Sequence, residues 1–525
     1  MNRLLTTLVV GLAGVQGLTL AAETRPKLVV GIVVDQLRTD YLENLKDMLG
    51  QGGFRRLMDS GLFIKDVDAG VVPGDVASAS ALIMTGDYPR YNGIPSKMIY
   101  DPVAKSLRPV FHDNSFIGNF TDETYSPAAL LVTTLSDEIS IENKGKSQVH
   151  SIAPDAAQAI VMAGHTGNSA FWLNDDSGRW ASTTYYQNPP APLQLKNYNS
   201  PLISRIDTIK WVPLRKGEPY PLVSAEETKE GFKYSFSRSD RDVFSHYKTS
   251  PFINTEIAET AAEYITTLDL GKNGDTTDVL NLGFTLSPYQ GLYKDDYRYE
   301  LEDSYLRLDR DLERLFDTLD KKVGKDNVLV YLVSTGYFEE PLTDTFKYRL
   351  PGGTFSVKRA MSLLNAFLAA KYGNGAYVDQ YADNHIYLAK NVLEEKNLDA
   401  TKVAEEARDF LVKMSGVAEA FTLADLMRPS VAQHDAIRLS IDPKTAGDII
   451  LQFNPGWKVV DDSRYPSVEQ VNKTASYQTP AFIMGPQIKA QVVEYPVDAT
   501  TIAPTLAKTL RIRAPNSASS NPLSF

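Results

Sequence analysis

The chain has 525 residues, 43% of them hydrophobic and 23% charged, enough apolar material for a large core and too much for a disordered or fibrous protein. Its formal charge of -11 argues against nucleic acid and anionic membrane surfaces as main partners. Cysteine is absent, which excludes disulfides, thiolate metal sites and a lipid anchor on an amino-terminal cysteine.

In chain order, residues 1–22 join Met1-Asn2-Arg3 to an apolar run from Leu4 to Leu20 and the small pair Ala21-Ala22. This is the pattern of a secretory signal peptide, and Gly11, Gly14, Gln16 and Gly17 make it a poor membrane span. The mature chain is therefore expected in the periplasm or otherwise exported, with no transmembrane segment. Lys27 to Val34 is a continuous, largely β-branched run, the signature of a strand buried on both faces of a parallel sheet, with Asp35 at its carboxyl end. Gly74 to Gly86 is rich in small residues and predicts a tightly packed helix that Asp75 caps at its amino terminus. Ser78 and Ser80 lie on that helix without a neighbouring general base, so they read as packing residues rather than nucleophiles.

Further strands are predicted at Val279 to Leu286, Asn327 to Val333 and Ala481 to Met484. Between them, Leu301, Tyr305, Leu308, Leu312, Leu315 and Leu319 recur at helical steps across a long amphipathic helix from Tyr299 to Lys322. Residues 185–255, rich in Pro, Tyr and Ser, read as a surface insertion of loops and short strands. Residues 358–430 alternate the helices Ala360 to Lys371 and Ala400 to Met414 with the strand Asn384 to Leu388, which suggests an inserted α+β unit. The expected organisation is a leader at 1–22, core at 23–184, loop-rich insertion at 185–255, core at 256–340, inserted α+β subdomain and linker at 341–470, and core at 471–525. The six histidines are scattered without metal-binding spacing, and His434-Asp435 is the one adjacent His-carboxylate pair, expected in an exposed turn.

The segment from Gly74 to Gly86 resembles the nucleophile helix of the alkaline phosphatase superfamily, in which a Ser or Thr opens a small-residue helix ending on Thr-Gly, here Thr85-Gly86. Val33-Val34-Asp35-Gln36-Leu37-Arg38-Thr39-Asp40-Tyr41, Asn92-Gly93-Ile94, Ala163-Gly164-His165, the run from Glu302 to Leu312 and the tail from Val497 to Ala507 extend the likeness over nearly the whole mature chain. The resemblance is to the secreted, single-chain, metal-dependent branch. It implies an α/β three-layer sandwich with a mostly parallel central sheet, and a catalytic pair of zinc ions held by carboxylates and histidines.

Placed residue by residue, the resemblance puts the nucleophile at Val76, which has no oxygen with which to attack. Of the implied metal ligands only Asp35 is kept; the other positions hold Pro288, Leu292, Gly336, Tyr337 and Gln478. An Asn that contacts substrate falls on Lys97, and a Lys-x-Arg clamp falls on Asp155 and Ala157. These departures imply a catalytically inactive member that needs no cofactor and serves as a binding or scaffolding component of the bacterial cell envelope, with protein partners met through residues 185–255 and 358–430. The alternative is an active phosphomonoesterase, phosphodiesterase or sulfatase that holds zinc through altered ligands.

Overall fold

Leu28–Asp35 reads Leu-Val-Val-Gly-Ile-Val-Val-Asp, and a strand with no polar face is stable only where both sides are covered. In the computed structural model, which describes residues 25–72, 74–186, 191–290, 297–339, 352–428, 435–454, 457–463, 468–471 and 473–524, it lies in the middle of a ten-stranded sheet. The strands follow the order Gln491–Val493, Leu62–Ile64, Ala481–Met484, Val328–Ser334, Leu28–Asp35, Asp278–Thr285, Val149–Ala153, Ser169–Leu173, Trp180–Thr183 and Gly118–Asn119. The strands from Val328–Ser334 through Ser169–Leu173 pair in parallel. Antiparallel pairings on both flanks make the sheet as a whole mixed. The leader expectation falls on residues outside those described.

Period-two alternation assigns the faces. Leu28, Val30, Ile32 and Val34 join a core with Ile253, Ile257, Leu308 and Leu312, from the helices Pro251–Thr267 and Arg298–Lys322. Val29 and Val33 join the opposite core with Ala77, Ala81, Ile160 and Leu506, from the helices Val76–Thr85, Ala156–Ala163 and Ile502–Leu510. The result is a helix–sheet–helix sandwich. Gly31 sits where a side chain has no room: a Cβ there would lie 2.2 Å from the Tyr331 hydroxyl and 2.4 Å from Asn281 Oδ1.

Residues 191–255 hold short helices and one antiparallel strand pair, Lys210–Trp211 with Tyr234–Ser235. Asp303 on the long helix anchors this region, accepting hydrogen bonds from Trp211 Nε1 at 2.7 Å and from the Tyr220 hydroxyl at 3.1 Å. Residues 353–461 carry a four-stranded antiparallel sheet, in the order Val378–Ala382, His385–Leu388, Ile449–Phe453 and Val417–Thr422. The helices Val357–Tyr372 and Ala400–Leu411 cover it through a separate core of Leu364, Leu368, Ile386, Val403 and Leu451. Among the described residues, no helix is long and apolar enough to cross a membrane.

Candidate functional site

The carboxyl ends of the parallel strands open onto a cleft of about 430 Å³ whose lining includes Asp35, Asp75, Val76, Lys97, Asp155, Pro288, Tyr337, Asp383 and Lys473. Ligand sites of open α/β sheets form at this edge. Asp35, the last residue of the central strand, receives a hydrogen bond from the Thr335 hydroxyl at 3.1 Å and another from Tyr337. Thr335 is itself fixed by the Gln36 backbone N–H at 2.9 Å, and Gln36 holds a left-handed φ of 60°. Burial raises the Asp35 carboxyl to about 6, against the lowering effect of these hydroxyls.

Asp75 performs the capping that the sequence suggests. Its Oδ1 accepts from the Ala77 and Ser78 backbone amides at 2.9 and 3.3 Å, while Ser78 Oγ accepts from the Asp75 backbone N–H at 3.1 Å, closing a capping box. Its other oxygen accepts from the Lys97 backbone N–H at 2.6 Å. Val76, first residue of the helix, faces the cleft. Ser80 is fully buried, and its hydroxyl has no hydrogen-bond partner among the described residues, so neither serine is posed to attack a ligand.

Lys97 sends its ammonium to Asp155 Oδ2 at 3.2 Å. Asp155, aided by Asp75 and Asp35 and opposed by burial, lifts the Lys97 ammonium above the ordinary lysine range. Burial pushes the Asp155 carboxyl up, but Lys97, Lys248 and its hydrogen bonds outweigh it and hold the carboxyl below the usual range. Asp155 also caps the helix Ala156–Ala163, which buries Ala157. Lys473 donates to the Gly74 carbonyl and lies 5.4 Å from the centre of the Tyr337 ring. From the inserted region, the hairpin of Val378–Ala382 with His385–Leu388 turns through Asp383 and Asn384, at φ 46° and 64°, and sets Tyr381, Ala382 and Asp383 into the wall.

The structure thus brings Asp35, Val76, Lys97, Asp155, Pro288 and Tyr337 around one cleft. Gly336, at φ 80°, and the exposed Gln478, whose carbonyl accepts from the Thr39 N–H at 3.0 Å, are not in its lining. Leu292 and His434 fall outside the described residues. Asp435 pairs with Arg438 at 2.6 Å. His165 is bound to Asp137 at 3.0 Å, His150 to Ser169 at 2.8 Å and His246 to Asp240 at 3.1 Å, and none of the three is in the cleft lining. Sequence reasoning missed Lys473, Lys248, Glu339 and Asp383. The Asp383-Asn384 pair between apolar residues is a hairpin signal that could have located the turn, though not its approach to the cleft.

The zinc pair implied by the resemblance was tested against these side chains. Around Asp35 stand two hydroxyls, the Glu339 carboxylate and a lysine, and among the described residues no three of His, Asp and Glu gather where they could hold a metal ion. Among the described residues the donor set does not fit.

The sandwich, the capped small-residue helix and a cleft at the strand ends are the architecture of the alkaline phosphatase superfamily. The sequence profile described as type I phosphodiesterase / nucleotide pyrophosphatase matches residues 29–478, and the chain belongs to that family. Among curated relatives, alkaline phosphatase PafA of Elizabethkingia meningoseptica is 29% identical over 538 aligned residues, spanning 96% of this chain and 94% of that protein. Alkaline phosphatase PhoV of Synechococcus elongatus is also 29% identical, over 94% of this chain and 91% of that protein. The crystal structure of wild-type PafA matches with a TM-score of 0.80 at 27% identity, covering 95% of this chain and 98% of that one. A PafA variant altered at one Thr, one Asn, one Lys and one Arg gives 0.82.

Proposed function

We propose that this protein is an exported, non-hydrolytic member of its family, a binding or scaffolding component of the bacterial cell envelope that uses the cleft and the surfaces around it for recognition. The observation that carries the reading is Val76: the helix, its cap and the cleft are all in place, and the residue that opens the helix into the cleft has no nucleophilic atom. The residue types altered in the PafA variant, Thr, Asn, Lys and Arg, are the types that the resemblance assigns to Val76, Lys97, Asp155 and Ala157. That agreement supports the placement of a phosphate-handling set at positions where this chain carries other chemistry. Function resides in the site rather than the fold.

A second reading, an active phosphatase, phosphodiesterase or sulfatase with altered ligands and zinc, draws support from the names of the relatives, which are alkaline phosphatases over nearly their full length. One experiment separates the two: hydrolysis of an aryl phosphate, an aryl phosphodiester and an aryl sulfate by the purified protein, with and without added zinc. The expected result is no turnover under any condition. Turnover that Asp35→Ala abolishes establishes the second reading instead. Crosslinking with mass spectrometry in the native envelope identifies the partner.

A further inference from the structure

Asp35, Asp75 and Asp155 line the cleft together with Glu339, which repels Asp35, and Asp383, which repels Asp75. Anions brought this close in a partly dry volume repel one another and lose hydration, so they are stable as a group only if positive charge is placed among them. Lys97 stands in that place. Its backbone N–H is fixed by Asp75 at 2.6 Å, its ammonium is 3.2 Å from Asp155, and Asp35 is near enough to act on its charge. Lys473 also approaches, donating to the Gly74 carbonyl over the face of Tyr337 and acting on Asp75. Tyr337 in turn donates to Asp35, so the ring that Lys473 overlies is tied to a carboxylate whose charge acts on Lys97.

The cation has also changed sides. The resemblance assigns a lysine to position 155 and a neutral amide to position 97, whereas this chain has Asp155 and Lys97, so an ammonium reaches the cleft from the segment after the capped helix. Resting on the non-hydrolytic reading above, we propose that Lys97, seconded by Lys473, is a built-in cation of this site: a tethered ammonium offsets the charge of Asp155 and Asp75 and part of that of Asp35, so the cleft is stable without metal and disfavours divalent cations. A protein with this arrangement keeps its pocket open to ligands without depending on the zinc supply outside the cell.

Thermal unfolding and calorimetric zinc titration of the purified protein test the proposal. The wild type is expected to bind no stoichiometric zinc and to unfold at the same temperature with zinc or with EDTA. Lys97→Met is expected to lower Tm by several degrees, Lys97→Arg to retain most of the stability, and Lys97→Met/Asp155→Asn to recover much of what the single change loses. Zinc is expected to stabilise Lys97→Met more than the wild type, because the exposed carboxylates then gain an external cation. Stoichiometric zinc in the wild type, a Lys97→Met protein as stable as the wild type, or a double variant no better than the single one overturns the proposal. If Lys97→Met does not fold, the wild-type titration and the folding of the double variant decide it. The outcomes stay separate from those of the functional reading: an inert protein that binds zinc removes this inference alone, and turnover by a zinc-free protein removes only the non-hydrolytic reading.

Discussion

Asp35→Asn keeps one acceptor oxygen that Thr335 and Tyr337 can share, replaces the other with an amide NH2 and removes the charge. Burial raises the carboxyl from 3.8 to about 6. At about 1.4 kcal/mol for each tenfold change in proton affinity, the ionised form costs the folded state at most ~3 kcal/mol, and water in the cleft screens this to a working figure of ~2 kcal/mol. The sign follows from proton linkage. Between about pH 4 and 6 the folded chain holds a proton that the unfolded chain has released, so the contribution of Asp35 to stability falls as pH rises through that window and is level above it. The asparagine variant lacks this slope. Relative to wild type it gains stability from about pH 4 to 6 and remains ~2 kcal/mol more stable at pH 8, or about 2 °C in Tm for a chain of this size. Urea unfolding of both proteins at a series of pH values is the assay, and the difference between the two curves isolates this carboxylate from the other groups that titrate. A variant less stable than wild type at pH 8, or zinc that stabilises the wild type and not the variant, shows that Asp35 balances a bound cation and refutes the reasoning.

Asp75→Ala removes a helix cap, worth about 1 kcal/mol, and strands the Lys97 backbone N–H for a further 1–3 kcal/mol, so a loss of ~2–4 kcal/mol is expected in urea unfolding, with Asp75→Asn distinctly milder. Val76→Thr restores a hydroxyl at the mouth of the capped helix and is expected to give no aryl phosphate turnover even with zinc; measurable turnover means that the rest of the site is competent. Gly31→Ala drives a methyl into the Tyr331 hydroxyl and Asn281 and is expected to cost ~1–3 kcal/mol or more, read as a lower urea midpoint with an unchanged slope. Asp303→Ala leaves Trp211 and Tyr220 without their acceptor, so limited proteolysis is expected to cut within residues 191–255 well before the sheet core is cleaved.

The elements that the sequence announces are those whose own pattern demands burial. The run from Leu28 and the heptad-like leucines around Leu308 have one stable use each, and the structure forms Leu28–Asp35 and Arg298–Lys322 within a residue of the expected ends. Asp75 was legible as a cap for the same local reason. Residues 185–255 were not: with little periodicity they read as loops and short strands, yet the described residues 191–255 hold short helices beside one strand pair, with Trp211 and Tyr220 tied to Asp303. The cleft shows the same divide. Val76 and Asp35 could be placed by local motif, whereas the partnership of Lys97 with Asp155, 58 residues apart, and the approach of Lys473 and Asp383 are products of the tertiary fold. No local pattern carries them.

The ion pair of Lys97 with Asp155 also constrains how such a site can arise by descent. From an ancestor of the kind the resemblance implies, with a neutral residue at 97 and a cation at 155, acquiring Asp155 first leaves a carboxylate without its hydrogen-bonded counter-ion, and acquiring Lys97 first brings two cations together. Either single step is disfavoured on charge grounds, so the two positions are expected to be inherited together. Among descendants, a lysine at 97 should be accompanied by an acidic residue at 155 more faithfully than by any residue of the capped helix.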